Sequence, residues 1–452
     1  MEQFFRLKEN HSNMRTELIA GITTFMTMAY ILAVNPNLLG KTGMDGGAVF
    51  TATALASAVG CFAMALLANL PFALSAGMGL NAYFTYSVCM GMGYSWEVAL
   101  AAVCVEGLIF ILLSLTNVRE AIFNAIPGEL KLAVSVGIGL FITFIGLQNA
   151  HVVVDGATLV TLFSFKEAIT TGTFASEGIT VLLALIGTLI TSLLVIKNVK
   201  GNILLGILIT WGLGILCQLT GLYVPNPEAR FYSLIPASLI AMPASLAPTF
   251  MKMDFSNVLS VNFLVVVFSF LFVDIFDTLG TLIGCASKAD MLDKDGKLPR
   301  IKGALLADAI GTTVGAVLGT STITTFVESS SGIAEGARTG LSSIVVGGLF
   351  LLSLFFSPVF LAIPSFATAP ALIVVGFFMM QQVAKIDWNN MLTAIPAFIC
   401  IFAMPFAYSI SEGIAFGIIS YTVLHLAGGK GKKVTPLMYV LTVIFILKYI
   451  FL

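Results

Sequence analysis

Apolar runs of bilayer-spanning length recur along the whole chain, from "LIAGITTFMTMAYILAV" near its start to "LMYVLTVIFILKYIFL" at its end. A helix needs about 20 such residues to cross the hydrocarbon of a membrane. A β-barrel would alternate apolar and polar positions instead. The pattern predicts an all-α polytopic membrane protein with fourteen spans, at 17–38, 48–69, 71–90, 96–116, 127–148, 178–196, 202–222, 258–286, 301–319, 321–338, 340–361, 364–383, 389–407 and 411–427. A last apolar run, 435–452, either adds a span or lies in the interface.

Composition agrees with this pattern. Of 452 residues 58% are hydrophobic and only 10% charged, and mean hydropathy is +1.01, so lipid rather than water must face most of the surface. A formal net charge of −1 leaves no basic field for nucleic acid. The polar N-terminus "MEQFFRLKENHSNMRTE" is followed by no small-residue cleavage site, so the first span is expected to be retained. Six cysteines (Cys61, Cys89, Cys104, Cys217, Cys285 and Cys400) lie in apolar runs without a CxxC pair and read as packing residues, with no disulfide, metal or cofactor implied.

Basic residues test the span count, because a missed helix would invert every later loop. With the N-terminus inside, the cytoplasmic ends hold Arg6, Lys8, Arg15, Arg119, Lys131, Lys197, Lys200, Lys288, Lys294, Lys297, Arg300, Lys302, Arg338, Lys385, Lys430, Lys432 and Lys433. The outer loops hold only Lys41, Lys166, Arg230 and Lys252.

Fourteen divides into seven plus seven. At a separation of 255 residues Ala54, Val59, Gly60, Ser75 and Gly77 fall on Ala309, Val314, Gly315, Ser330 and Gly332. At 237, Ile126, Pro127, Gly139 and Phe141 fall on Ile363, Pro364, Gly376 and Phe378. Seven is odd, so the halves would be inverted relative to each other, as in many secondary transporters. Two segments in matching places are expected to be broken: "NLPFALSAGMGLNAYFTYSV" and "GTSTITTFVESSSGIAEGARTGL". Threonine and isoleucine in "TSTITTF" favour strand, and Pro71 removes a backbone donor. Each segment is read as a short strand plus a half-helix, the two crossing at a central site where backbone N–H groups are offered.

Acids inside spans cost about 2.5–3.5 kcal/mol each on an insertion scale and mark pathways or buried pairs. They are Glu106, Asp274, Asp277, Asp308 and Glu328, with no lysine, arginine or histidine at matching depth. Asp274 and Asp277, three apart in "VDIFDT", share a helix face. Two like charges so placed resist joint ionisation, which suits a proton carrier. Glu328, where the second broken segment turns helical, suits an ionised acceptor for substrate N–H groups, and Asn81 in "GMGLNAYF" offers a donor and an acceptor. Phe276 and Phe326 could stack on a planar ring, although packing is favoured about two to one. Asp308, Thr278 and Ser329 stand as supporting residues, and Glu106 reads as a strut between helices.

In "GITTFMTMAYILAVNP", "LPFALSAGMGLNAYF", "VDIFDTLGTLIG", "LLADAIGTTVGAVLGTSTITTFVESSSGIAEGARTGL" and "AKIDW" the sequence resembles the azaguanine-like purine permeases of the nucleobase:cation symporter group. The resemblance implies a fourteen-helix inverted repeat divided into core and gate. Here that gives a cytoplasmic 1–16, core at 17–116 and 258–361, gate at 117–222 and 362–427, an outer loop at 223–257 and a tail at 428–452. It further implies proton-coupled uptake of purines across the plasma membrane by an elevator movement, with Asn81, Asp274, Asp277 and Glu328 at the substrate and coupling positions. Among its members, "GLNAYF" and the double acid look like the guanine/hypoxanthine kind rather than the adenine kind. The partners implied are a purine nucleobase, a proton and membrane lipid, with a homodimer allowed.

Uracil, xanthine and anion carriers can share such a fold, but an anion carrier should place a basic residue near the site. A channel suits inverted, broken helices less well. An intramembrane aspartyl protease needs two acids on facing helices, usually within GxGD, whereas the closest pair here shares one helix.

Overall fold

The computed structural model describes residues 2–116, 126–156, 159–226, 231–256, 258, 260–288, 291–293 and 298–451. Arg119, Arg230, Lys294 and Lys297 lie outside them, as do the side chains of Phe276 and Lys288. The chain is mostly helical. Its first half holds α1 (Glu2–Phe5), α2 (Met14–Met28), α3 (Ile31–Leu39), α4 (Gly46–Ala63), β1 (Leu74–Ala76), α5 (Met78–Ala82), α6 (Trp96–Leu115), α7 (Gly128–Asn149), β2 (Val153–Gly156), β3 (Leu159–Leu162), α8 (Phe165–Thr171), α9 (Ile179–Ile196) and α10 (Asn202–Leu219). The second half holds α11 (Val261–Lys288), α12 (Ile301–Leu318), β4 (Ile323–Thr325), α13 (Ser329–Ala334), α14 (Gly340–Ser353), α15 (Ser357–Leu361), α16 (Ser365–Met380), α17 (Met391–Phe406), α18 (Ile410–Ala427) and α19 (Pro436–Phe451).

Among the described residues, eleven helical segments are long and apolar enough to cross a membrane, and Met391–Phe406 and Pro436–Leu447 are shorter apolar helices. Side-chain caps start several of them. Asn13 accepts from the Thr16 N–H at 3.0 Å and Asp45 from the Ala48 N–H at 2.8 Å, satisfying donors that a helix start leaves free.

Three features depart from the pattern of plain spans. The first span is interrupted at Ala29 and Tyr30, between α2 and α3. The segment 153–162 holds a β-hairpin pairing Val153 with Leu162 and Gly156 with Leu159. The last apolar run is a helix whose Thr442 hydroxyl donates to Thr422 at 2.8 Å and whose Tyr449 hydroxyl donates to Glu412. Glu412 begins α18 and Tyr449 ends α19, so the two helices run antiparallel along their whole length.

Close backbone approach joins α7 to α16. A Cβ on Gly139 would lie 2.6 Å from the Gly376 carbonyl oxygen, and one on Gly376 would lie 2.4 Å from that of Gly139. Only glycine fits at either position.

At the centre, β1 pairs antiparallel with β4, Leu74 opposite Thr325, Ser75 opposite Thr324 and Ala76 opposite Ile323. Two strands of three residues are marginal alone. Their support is the surrounding helices: a Cβ on Gly311 would stand 2.9 Å from Ile323, so the missing side chain lets α12 close on β4. The Ser57 and Ser75 hydroxyls lie 2.7 Å apart, tying α4 to β1.

Candidate functional site

Each strand leads into a helix, β1 through Gly77 into α5 and β4 through Phe326–Glu328 into α13. Because the strands are antiparallel, the two helices leave the crossing in opposite directions. The ladder extends at both ends: the Gly77 N–H donates to the Thr322 carbonyl at 3.1 Å and the Phe326 N–H to that of Ala73 at 2.9 Å. Gly77 is obligatory, since a Cβ there would meet Thr324 Oγ1 at 2.8 Å and Asp277 Oδ2 at 3.4 Å.

Side chains alternate along an extended backbone, and β4 uses both faces. Ile323 packs on α4 and α12. On the other face the Thr322 hydroxyl donates to Glu106 Oε2 at 2.8 Å and the Thr324 hydroxyl to Asp277 Oδ2 at 3.3 Å. Threonines that favour strand by their branching thus also hold two of the membrane acids.

Glu328 stands immediately before α13, half-buried, and accepts the Tyr30 hydroxyl at 2.8 Å. Tyr30 is 1% exposed, and its ring lies 6.4 Å from that of the buried Phe326. The break in the first span therefore faces the turn after β4. Among the described residues no lysine, arginine or histidine pairs with Asp277 or Glu328.

Asp274 is fully buried and shares the hydroxyl of Thr278, one turn along the same helix, with a carboxyl of another helix. The Thr278 hydroxyl lies 2.9 Å from Asp274 Oδ1 and 2.8 Å from Asp308 Oδ1, linking α11 to α12. Asp277, three residues from Asp274, turns to β4 instead. The two aspartates read as a pair from their spacing thus enter two different clusters.

Asn81 is completely buried within the crossing. Its Oδ1 accepts the Ser321 hydroxyl, and its amide donates to the Ala76 carbonyl at 3.4 Å, leaving one amide hydrogen for other use. The Ser329 hydroxyl accepts from the Ala73 N–H at 3.0 Å and supports β1. Phe276 belongs to α11 between the two aspartates.

Tyr30, Thr322 and Thr324 also belong to the site, and the sequence pattern does not single them out. A tyrosine in the apolar run "MTMAYILAV" was the available signal for the first. For the threonines no signal separates a strand former from a carboxylate donor.

Comparison with known proteins adds to this geometry. Residues 15–416 match the model of a family described as "Permease family". The chain is 51% identical to a putative permease of Methanocaldococcus jannaschii over 100% of this chain and 98% of that protein. It is 46% identical to the guanine/hypoxanthine permease PbuG of Bacillus subtilis over the full length of both. It is 39% identical to the adenine permease AdeP of Escherichia coli, over 100% of this chain and 96% of that protein. Among solved structures, the transmembrane domain of the cyanobacterial bicarbonate transporter BicA superposes with a TM-score of 0.61 at 16% identity, over 89% of this chain and 97% of that one, and so shares the fold. The chain therefore belongs to this permease family, that of the nucleobase:cation symporters, and is a transporter rather than an enzyme.

Proposed function

We propose that the protein takes up purine nucleobases, guanine and hypoxanthine in preference, in symport with protons. The observation that carries this reading is the crossing of β1 and β4, which gathers Glu328 with Tyr30 and Asp277 with Thr324 around one small region. A carboxylate accepts hydrogen bonds only. Guanine offers N1–H and a 2-amino group side by side, which two carboxylate oxygens match, and hypoxanthine keeps N1–H. Adenine presents a bare acceptor at N1, which an ionised Glu328 would repel. In this reading Asn81 offers its remaining amide hydrogen toward the site, and the ring of Phe326 faces the base. The full-length similarity to PbuG supports the same preference, while that to AdeP makes adenine the alternative a competition assay must exclude.

The proton site we assign to Asp274 and Asp308. Thr278 has one hydroxyl hydrogen and two carboxylate oxygens within hydrogen-bond distance. If it donates to one, the second contact is attractive only when the other carboxyl carries a proton. Coupling then requires proton and purine to favour each other's binding, Asp277 on the same helix lying between the two sites.

Movement follows the division into core and gate, the eleven long helices together with Met391–Phe406 and the two strand-helix segments forming fourteen spans in inverted halves. The mutual contact of Gly139 and Gly376, equivalent at a separation of 237, supports that symmetry, because equivalent residues meet on a twofold axis. On the outer side Lys41 of the core donates to the Tyr86 hydroxyl at 3.1 Å and to Asn149 of the gate. Tyr86 itself donates to Asn149 at 2.9 Å. These bonds must break when the core rises to load substrate. The basic ends of the spans support a cytoplasmic N-terminus, and uptake into the cell requires residence in the plasma membrane.

The test is uptake of labelled hypoxanthine by cells without their own purine carriers, with cold guanine, adenine, xanthine and uracil as competitors. Strong competition by guanine and weak competition by adenine supports the proposal. Preference for adenine or uracil overturns the reading of Glu328.

A further inference from the structure

Away from the strand crossing, the first residues of the chain are strapped across the ends of α4 and α12. Phe5 and Leu7 are 5% and 2% exposed and pack with Ala65 and Leu341. Asn69, in a left-handed conformation with φ of 49°, donates from its side chain to the Phe5 carbonyl at 3.0 Å and accepts from the Gly340 N–H at 2.8 Å. α12 begins hard against the same place: a Cβ on Gly303 would lie 2.4 Å from the Leu67 carbonyl oxygen. That contact brings Arg300, just before α12, opposite Arg6 on the strap.

The two arginines line one groove of about 370 Å³, together with Phe4, Asn10, Leu66 and Leu67 among others. Two guanidiniums on one small groove repel each other unless an anion lies between them. Among the described residues, the carboxylate that lines the groove is Glu9, 3.8 Å from Arg6, and this pair is exposed, so it contributes little. Among the described residues no carboxylate is within ion-pair distance of Arg300. Beside the charges stand apolar side chains open to the surroundings, Phe4 at 58%, Leu66 at 60% and Leu67 at 45% exposure. Planar guanidiniums bind phosphate oxygens in pairs. Basic residues at the ends of spans attract anionic lipid.

We propose that this groove binds an anionic phospholipid, its headgroup phosphate between Arg6 and Arg300 and its acyl chains along Phe4, Leu66 and Leu67. Only the choice of leaflet rests on the orientation given above. A lipid there would clamp the strap to α4 and α12, which flank the strand crossing.

The experiment uses the purified full-length protein in detergent. Binding of phosphatidylglycerol and of phosphatidylcholine is compared by native mass spectrometry for wild type, Arg6→Gln, Arg300→Gln and Glu9→Gln, with inorganic phosphate as a separate competitor. Phosphatidylglycerol should bind in preference, each arginine substitution should weaken it about fivefold, and Glu9→Gln should strengthen it by freeing Arg6. The opposite sign of the last variant separates loss of a ligand from loss of the fold. Equal binding of both lipids, or wild-type affinity in both arginine variants, overturns the proposal. Complete displacement by millimolar phosphate, with no preference between the lipids, assigns the groove to a soluble anion and overturns the lipid. None of these outcomes depends on purine uptake, so the site and the transport reading fail separately.

Discussion

Tyr30 and Glu328, 298 residues apart, are joined by a 2.8 Å hydrogen bond that fixes the carboxylate at the turn into α13. A charge-assisted bond of this kind contributes about 1.5–3 kcal/mol. Tyr30→Phe keeps the ring and removes the bond, so the KM for hypoxanthine should rise about tenfold or more, with normal amounts of protein in the membrane. An unchanged KM would remove Tyr30 from the site.

Thr278 divides one hydrogen between Asp274 and Asp308. If Asp308 takes up the coupling proton as proposed, Asp308→Asn supplies a fixed neutral group in its place. Accumulation driven by a pH gradient should fall to background, while exchange of labelled for unlabelled hypoxanthine across the membrane persists. If the variant still accumulates purine and a protonophore still abolishes this, the coupling site lies elsewhere.

The approach of Gly77 to Thr324 leaves no room for a methyl group. Gly77→Ala should push β1 from Thr324 and Asp277 and reduce uptake at least tenfold. Gly348→Ala is the control, because nothing lies within 4 Å of a Cβ there. Equal uptake by the two variants would show that the strand crossing tolerates displacement.

Glu17 is fully buried and accepts the N–H groups of Arg338 at 2.9 Å, Thr339 at 3.1 Å and Ser342 at 3.3 Å. It caps the start of α14 with a charge from α2, which the helix dipole favours. Glu17→Ala leaves three donors without this acceptor, and thermal unfolding should show a loss of about 1.5–3 kcal/mol or more. A midpoint equal to wild type would mean that water replaces the carboxylate at no cost.

Tyr86 donates to Asn149 at 2.9 Å, across the boundary proposed above between core and gate. In a background without the native cysteines, linking Tyr86→Cys to Asn149→Cys with a short reagent should arrest transport, and reduction should restore it. Full transport by the linked protein would exclude a movement that separates these two residues.

The sequence made the helices legible because lipid imposes one demand on every span: enough apolar residues in a row. It also marked the region of the crossing, since "TSTITTF" favours strand where helix was otherwise expected. Partners across helices were not legible. Spacing places Asp274 and Asp277 on one helix face, but only tertiary packing decides that Thr278 joins Asp274 to Asp308 and that Asp277 meets Thr324. Tyr30 escaped notice for a similar reason: its partner lies almost three hundred residues away. Gly139 and Gly376, matched by a simple offset, do touch, although the offset alone could not distinguish contact from mere correspondence.

The most direct test of the central claim is accumulation of radiolabelled hypoxanthine by wild type and Glu328→Gln in cells lacking other purine carriers, with each cold nucleobase as competitor and with and without a protonophore. Guanine should compete best, the protonophore should abolish accumulation, and Glu328→Gln should lose guanine and hypoxanthine together. Accumulation that survives the protonophore, or a Glu328→Gln protein that still prefers guanine, would contradict that claim.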